Sequence, residues 1–480
     1  ELVAASPNTL GWSRTGDDSR GQGWYDLAIA VDPNNADVVY TGGIHVWKSS
    51  DGGANWILSG HWTGGGGADD VHADQHVMEY SPHNSNIIFN GNDGGIYYTT
   101  DNGVTWIEIS SGLGIAQVYK IGVAQTVENT VINGYQDNGT AIYYDGTWST
   151  EIGGDGMECI IDPTDENYMY SELYYGSIRR STNGGMTFGN ISGTISESGA
   201  WVTPYKLDPN DANTMYAGFD NIWRSTDVKT GTPPTWNSIS SFTGTNNMRD
   251  LAIAISNSDV MYASRDRSGE RFFRTANATA GTPTWTNITG SLPTSSTPKD
   301  IEIDHTDPLH LFIAIGNNIY ESNNGGNTWI DYSGTLPGVP LNTIVIDTSS
   351  TVDAMYVGMD VGVYYRDNNM SDWVLYSNNL PNVEVTELEI YQNPGECKSR
   401  IMASTYGMGL WSNDLRDPGN IAPVACFEAS ETDICVGESV VFTNNSDYAP
   451  TSWVWNVTPA TITYINTTSS TSEHPEIQFN

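Results

Sequence analysis

Short apolar runs of alternating character, broken every few residues by turn-forming dipeptides, fill most of this chain. A period of two with frequent Gly, Asn and Asp interruptions marks half-buried strands joined by tight turns rather than helices. Ala28-Ile-Ala-Val-Asp-Pro33 followed by Val38-Val-Tyr40 is one such strand pair, and Ile160-Ile-Asp-Pro163 with Tyr168-Met-Tyr170 is another. Leu207-Asp-Pro209 with Met215-Tyr216, and Ile346-Asp347 with Met355-Tyr356, repeat the plan.

A second element follows each pair. Ser49-Ser-Asp-Gly-Gly-Ala-Asn-Trp56, Thr99-Thr-Asp-Asn-Gly-Val-Thr-Trp106, Ser181-Thr-Asn-Gly-Gly-Met-Thr-Phe188 and Ser322-Asn-Asn-Gly-Gly-Asn-Thr-Trp329 share a hydroxyl, an Asp or Asn, a Gly and a closing aromatic. Longer versions run from Ser225 to Trp236 and from Thr275 to Trp285, and worn ones end at Trp148 and Trp373. The closing aromatics recur every 40 to 50 residues. Each unit reads as four short strands, which is the signature of a propeller blade. Nine first strands begin near Leu27, His72, Tyr119, Glu158, Pro204, Leu251, Ile301, Ile344 and Val385. The ninth unit has three strands ending at Gly409-Leu-Trp-Ser412, and Leu10-Gly-Trp-Ser13 is a candidate fourth.

The predicted fold is therefore all-β: a multi-bladed β-propeller of eight or nine four-stranded blades, with seven blades plus part of a second ring as the other arrangement. In the repeated turns a hydroxyl and a carboxylate satisfy backbone amides, Gly supplies positive φ and the aromatic packs between blades. Asp51, Trp56, Asp101, Trp106 and Trp329 are on that reading scaffold.

These turns resemble those of the Asp-box (BNR-repeat) superfamily, which includes sialidases, xyloglucan-cleaving glycosidases and the sortilin receptors. The resemblance covers residues 1–415 and implies that the turns are structural and remote from any catalytic centre. After a linker at 416–424, the segment 425–480 resembles a PKD-type immunoglobulin-like β-sandwich, here incomplete. Such modules serve as spacers or weak polysaccharide contacts. Sialidases of the superfamily use three arginines, an Arg-Ile-Pro motif and a Tyr-Glu nucleophile. Here Arg265, Arg267, Arg271 and Arg274 crowd on one unit and no Arg-Ile-Pro occurs, so sialidase activity is not expected.

Charge narrows the partners. Acidic residues outnumber basic ones 57 to 19, a formal net charge of -38. That repels nucleic acid and anionic lipid and favours solubility in a salty extracellular medium or divalent-cation binding. No apolar run reaches the roughly 20 residues of a membrane-spanning helix. Among the four cysteines, Cys426 and Cys435 are spaced for a disulfide between neighbouring strands, while Cys159 and Cys397 are expected free. Without a leader at residue 1 the chain reads as processed or trimmed. It is expected to be secreted or cell-surface attached, and bacterial by resemblance.

Candidate chemistry gathers on the face formed by second-to-third strand turns and blade-to-blade loops, the usual ligand face of a propeller. If residues 72–76 are extended, His72, Asp74 and His76 share one side and could hold a divalent cation, either calcium or a transition metal. A hydrogen-bonded structural network or direct catalysis are the alternatives. The Gly-flanked turns at 91–95, 134–139, 153–158 and 171–176 add Asp93, Gln136, Asp137, Asp155 and Glu172. Trp62, Tyr135, Tyr174 and Tyr175 offer rings to sugar faces, and Arg179 a charge for a uronate. Asp74 with Asp155 is the expected acid/base pair if the chain is a glycoside hydrolase; a lyase would instead use His72 or Tyr174 as base.

Two functions remain open. One is an extracellular recognition or adhesion module that binds a polysaccharide or glycoconjugate, working beside other modules of a larger chain. The other is a polysaccharide-active hydrolase or lyase on blades 2–4. Neither involves an organic cofactor, nucleic acid or membrane insertion.

Overall fold

A computed structural model describes residues 7–377, 379–392, 399–416, 425–444, 446, 451–458 and 461–480. It consists of ten small sheets and one 3-10 turn at Thr289–Ser291. Nine sheets follow the nine sequence units, and their first strands start no more than three residues from the expected positions. Strands pair in chain order within each, antiparallel as Val123↔Val131 and Val131↔Tyr143 do in blade 3, except that Asp69–Asp70 adds a parallel fifth strand beside Ile57–His61 in blade 1.

The chain divides into two compact units, Glu1–Ile115 and Ala116–Asn480. The division falls inside the 1–415 stretch that the sequence reads as one propeller domain. The first unit holds blades 1 and 2, which share one core of Tyr40, Val46, Met78, Ile88 and Trp106.

Blades 3 to 9 lie in the second unit, and seven apolar clusters join them in sequence. Ile142 of blade 3 packs with Cys159 of blade 4, and Tyr170 of blade 4 with Tyr205 of blade 5. Tyr216 packs with Leu251, Phe272 with Ile313, Phe312 with Ile344, and Tyr356 with Leu388. The seventh cluster brings Val118, Ile121 and Val131 of blade 3 against Tyr391 and Met402 of blade 9. A run of seven sheets whose last packs on its first is a ring. This part of the chain is a seven-bladed β-propeller. Nine blade units are present and the ring itself contains seven, in line with the alternative of seven blades beside further ones rather than the eight or nine expected.

Among the described residues, closure uses no borrowed fourth strand. Blade 9 has three strands, and Leu10–Ser13 forms turns rather than the closing strand expected of it. Backbone bonds do part of that work: Gly407 N and Gly409 N both donate to Ala116 O, at 2.9 and 3.0 Å. Inward carboxylates on the innermost strands do more. Glu387 accepts from Ile121 N at 2.7 Å, Glu389 from Val123 N at 2.7 Å, and Asp250 from Ile301 N at 2.8 Å. Each carboxylate thus staples its own blade to the next. A register irregularity at the start of these strands, between Val118 and Lys120, Met248 and Asp250, and Val385 and Glu387, precedes the inward charged residue. Bulges re-aim side chains in this way.

The repeated turns behave as their composition dictates. Thr99 Oγ1 accepts from Gly103 N at 2.9 Å, and Asp101 accepts from the amides of Val104 and Thr105. Asn183 and Asn324 substitute for Asp with the same acceptor oxygen, taking the amides of Thr187 and Thr328 at 3.0 Å.

In the C-terminal segment one sheet runs Phe427–Ala429, Ser439–Asn444, Glu476–Phe479, Ile462–Ile465, with Phe427, Phe442 and Trp455 in mutual ring contact. The expected Cys426–Cys435 bridge is not formed. Cys435 is a free, exposed thiol, and Cys426 is disulfide-bonded to another partner. Phe427 pairs with Asn444, which puts Cys426 at the far end of that hairpin from the Cys435 turn. Cys159 is free and buried, as expected; Cys397 and the linker 417–424 lie outside the described residues.

Candidate functional site

Each unit carries its own concentration of chemistry. In the two-blade unit, residues 72–76 are not extended. Asp74 takes a left-handed backbone, φ 63°, and the strand starts only at Gln75. The alternation that would have aligned His72, Asp74 and His76 is broken there. The three side chains go separate ways. His72 Nδ1 lies 3.2 Å from Ala73 O, and Asp74 Oδ1 accepts from Gln22 Nε2 at 2.8 Å. His76 Nε2 meets Asp93 Oδ1 at 2.5 Å and sets its ring edge-on to Tyr25, whose hydroxyl donates to Asp93 Oδ2 at 2.8 Å. Among the described residues the three do not bring ligand atoms together, so the expected His-Asp-His metal triplet is corrected.

Behind Asp74 stands a residue that sequence reasoning missed. Asp26 is fully buried, its carboxyl set against Asp74 and Gln22. Burial, then the charge of Asp74, pushes its pKa up to about 7. Burial also raises Asp74 above the usual carboxylate range. The acidic side chain between Trp24-Tyr25 and Leu27 gave no sign of being inside. Nearby, His45 stacks on His61 with ring centroids 4.3 Å apart, and Arg14 Nε donates to His61 Nε2 at 3.1 Å. Burial pushes the His61 imidazole down to about 4. Trp62 leans on both rings, at 5.1 and 5.2 Å, so this ring is half committed to packing.

The seven-bladed ring brings other predicted residues to one end. Asp155 Oδ1 accepts from Asp137 N at 2.9 Å, and a backbone bridge joins residue 155 to Gly139. The close approach needs glycine: a Cβ on Gly139, at φ +73°, would sit 1.9 Å from Ile152 O. Asp155 thus ties two loops together. Two expected contact residues prove internal. Tyr135 is buried in the blade 3–9 core, because its strand is covered on both faces. Glu172 is buried too, with Oε1 on Gly176 N at 2.7 Å and Oε2 on Thr203 N at 2.8 Å. Desolvation lifts its pKa to about 8. Arg179 lies half-buried in the third strand of blade 4, with its Nε buried and unpartnered.

What remains at the surface is aromatic. The rings of Tyr174 and Trp201 lie parallel within 2°, centroids 5.4 Å apart, and Tyr175 stands edge-on to Trp201 at 5.3 Å. Tyr174, Tyr175 and Trp201 are 38%, 52% and 39% exposed. Trp201 Nε1 donates to Tyr119 OH at 3.1 Å, which donates to Gln136 Oε1 at 2.9 Å. Tyr119 also contacts Tyr406, at 5.7 Å. Trp201, Tyr119 and Tyr406 were not foreseen. Trp201 sits in the Gly199-Ala-Trp201 loop and Tyr406 before Gly407, the same aromatic-beside-Gly pattern as Tyr175-Gly176.

Tyr119 also walls a cavity of about 600 Å³ that includes Lys120, Glu158, Arg249, Asp250 and Lys299. Its floor is charged: Lys120 Nζ lies 3.2 Å from Glu387, and Lys206 Nζ 3.6 Å from Glu158. The arrangement is a cluster of three exposed aromatic rings, joined through Tyr119 to a polar cavity, and it suits a flat, hydroxylated ligand.

No family model and no curated protein matches this sequence. A GH74 enzyme from Niastella koreensis is similar in structure at 14% identity and a TM-score of 0.34, over 81% of this chain and 75% of that one. The Cps50 (Swd1) β-propeller domain of Myceliophteria thermophila matches at 9% identity and a TM-score of 0.47, over 63% of this chain and 98% of its own. The sheet arrangement described above is what identifies the fold.

Proposed function

We propose that this protein is a secreted or cell-surface carbohydrate-recognition propeller, whose binding surface is the ring end bearing Tyr174, Tyr175, Trp201 and Tyr119. The observation that carries the reading is the parallel, exposed Tyr174–Trp201 pair. Exposed aromatic faces at the mouth of a polar well are a costly thing to leave in water unless something apolar on one side and hydroxylated on the other covers them. A pyranose ring has that character. Gln136 and Asp137 supply hydrogen-bonding groups at the rim. The ligand class is an extracellular polysaccharide or glycoconjugate, and the PKD-like segment serves as a spacer toward other modules, in keeping with the Asp-box resemblance of the turns.

Hydrolysis or elimination is the weaker reading, because Asp155, one half of the expected acid/base pair, is already engaged with the Asp137 amide. Affinity electrophoresis and calorimetry against a polysaccharide panel test the proposal. A ligand of the intact chain should bind at least tenfold more weakly to Trp201→Ala, as for a stacking hot spot worth about 1.4 kcal/mol or more. Tyr119→Phe, which removes only the hydroxyl link, should cost a few-fold. If Trp201→Ala binds every ligand as the parent does, or if the panel is depolymerised instead, the reading fails.

A further inference from the structure

We infer that residues 8–26 form a pH-sensitive strap, fastened to blades 1 and 2 by a proton held between the carboxyl groups of Asp26 and Asp74 and released when that proton leaves. The segment precedes the first strand of blade 1, which starts at Ala28, and it contains turns but no strand. This device goes beyond the carbohydrate reading and lies in the other unit from the aromatic surface, so either proposal can fail without the other.

Two observations converge. The first is how the segment is attached. Among the described residues its backbone hydrogen bonds stay within it, as Asn8 N to Gly16 O and Gln22 N to Leu10 O do. None of its apolar side chains is buried: Leu10 is half-buried, and Trp12, Trp24 and Tyr25 are 44%, 83% and 41% exposed. Attachment falls to bonds with side chains of the blades, most of them titratable. Gln22 donates to Asp74, Tyr25 to Asp93, and Arg14 to His61 and Thr63, while His45 Nε2 donates to Trp12 O at 3.0 Å. A segment with so little apolar packing opens locally at low cost.

The second observation is the carboxyl pair. Asp26 is fully buried with its carboxyl hydrogen-bonded to half-buried Asp74 and to Gln22. Within the unit, the other titratable groups facing the pair are Asp93 and His72, with His45 also in reach of the Asp74 charge. Among the described residues no lysine or arginine pairs with either Asp. Two carboxylates in contact and shielded from water do not both ionise, so one proton bridges them. It belongs to Asp26, which burial and the Asp74 charge lift to about 7. In a released strap Asp26 returns to the ordinary carboxylate range. Docking is therefore strongest below that range, and the advantage is gone once pH has risen through about 7. His61 sets the acid limit: its Nε2 accepts from Arg14 only as a neutral imidazole, and burial holds it down to about 4, so that bond is lost as pH falls through this value. Release bares the His45–His61 stack, on which Trp12 and Arg14 rest.

Trypsin digestion of the full chain, with fragments identified by mass, is the test. Arg14 and Arg20 are the basic residues of the segment, and Lys48 is the next along the chain. Cleavage after the two arginines tracks the population of released strap. Each rate is divided by that of Asp26→Asn at the same pH, which cancels the response of the protease. The Asn amide donates to Asp74 as the protonated carboxyl does, and it cannot ionise. Between about pH 6 and pH 8.5 the ratio should rise about tenfold. Independently of the variant, cleavage after Arg14 and Arg20 in the parent should outrun cleavage after Lys48 as pH rises. Infrared difference spectra near pH 6 should show one protonated-carboxyl stretch in the parent that Asp26→Asn lacks. A ratio that stays constant overturns the proposal, and so does a carboxyl band that Asp26→Asn keeps in full. Cleavage after Lys48 rising in step with the arginines overturns it too, for then the whole unit opens rather than the strap.

Discussion

Trp106 shows how much a single closing aromatic does. Its ring is buried in the blade 1–2 core, its Nε1 lies 3.3 Å from Ser59 Oγ, and its amide donates to Asp69 at 2.6 Å. Trp106→Ala should therefore destabilise the two-blade unit by about 3–5 kcal/mol, read as a lower denaturation midpoint; an unchanged midpoint would remove its interblade role. At this scale the sequence was readable wherever a residue obeys a local rule. The hydroxyl, carboxyl or amide, and glycine of each turn make the bonds their spacing implies. Residues whose fate depends on a neighbouring blade were not. Tyr135 lies in a strand buried along its whole length, so no alternation reveals which way it faces. Asp74 looked like the middle of a strand, and although Asp tolerates the left-handed backbone it takes there, so does the extended one, and the residue type does not choose between them.

The blades carry buried carboxylates whose behaviour with pH can be signed. Burial lifts Glu172, Glu302 and Glu389 each to about 8. The folded state then holds protons that the unfolded chain, with carboxyls near 4.5, has released. Their contribution is complete below about pH 4.5 and disappears as pH rises through about 8. Asp304 acts the other way: despite some burial cost, bonds from Thr306 and the Asp307 amide bring it down to about 2, so its contribution is lost as pH falls toward that value. The melting temperature should therefore peak near pH 4–5 and decline toward pH 8.5 at constant ionic strength. Glu302→Gln, which cannot ionise, should flatten the decline. A melting temperature that rises steadily from pH 5 to 8.5 would contradict these assignments. None of this was visible in the sequence, where Glu302 and Glu389 looked like ordinary polar positions of an alternating strand and Glu172 like a surface contact residue.

On the scale of the molecule, the number of repeats was legible because each blade is a local object of about 45 residues, and the ring was not, because closure is a relation between its ends. Glu387 reaches Ile121 across 266 positions of chain. The seven shared cores lie entirely within Ala116–Asn480. That fragment alone should consequently fold, with a near-ultraviolet circular dichroism spectrum and a cooperative melt; a spectrum without tertiary signal would show that the ring depends on residues 1–115. The manner of closure also sets a timetable. With no strand from the beginning of the ring waiting to be completed, blade 3 keeps an uncovered apolar flank until residues 385–405 have left the ribosome, and loop entropy makes that final meeting slow. A nascent chain of this protein is thus sticky almost to its last blade, and whatever escorts it has to hold on until then.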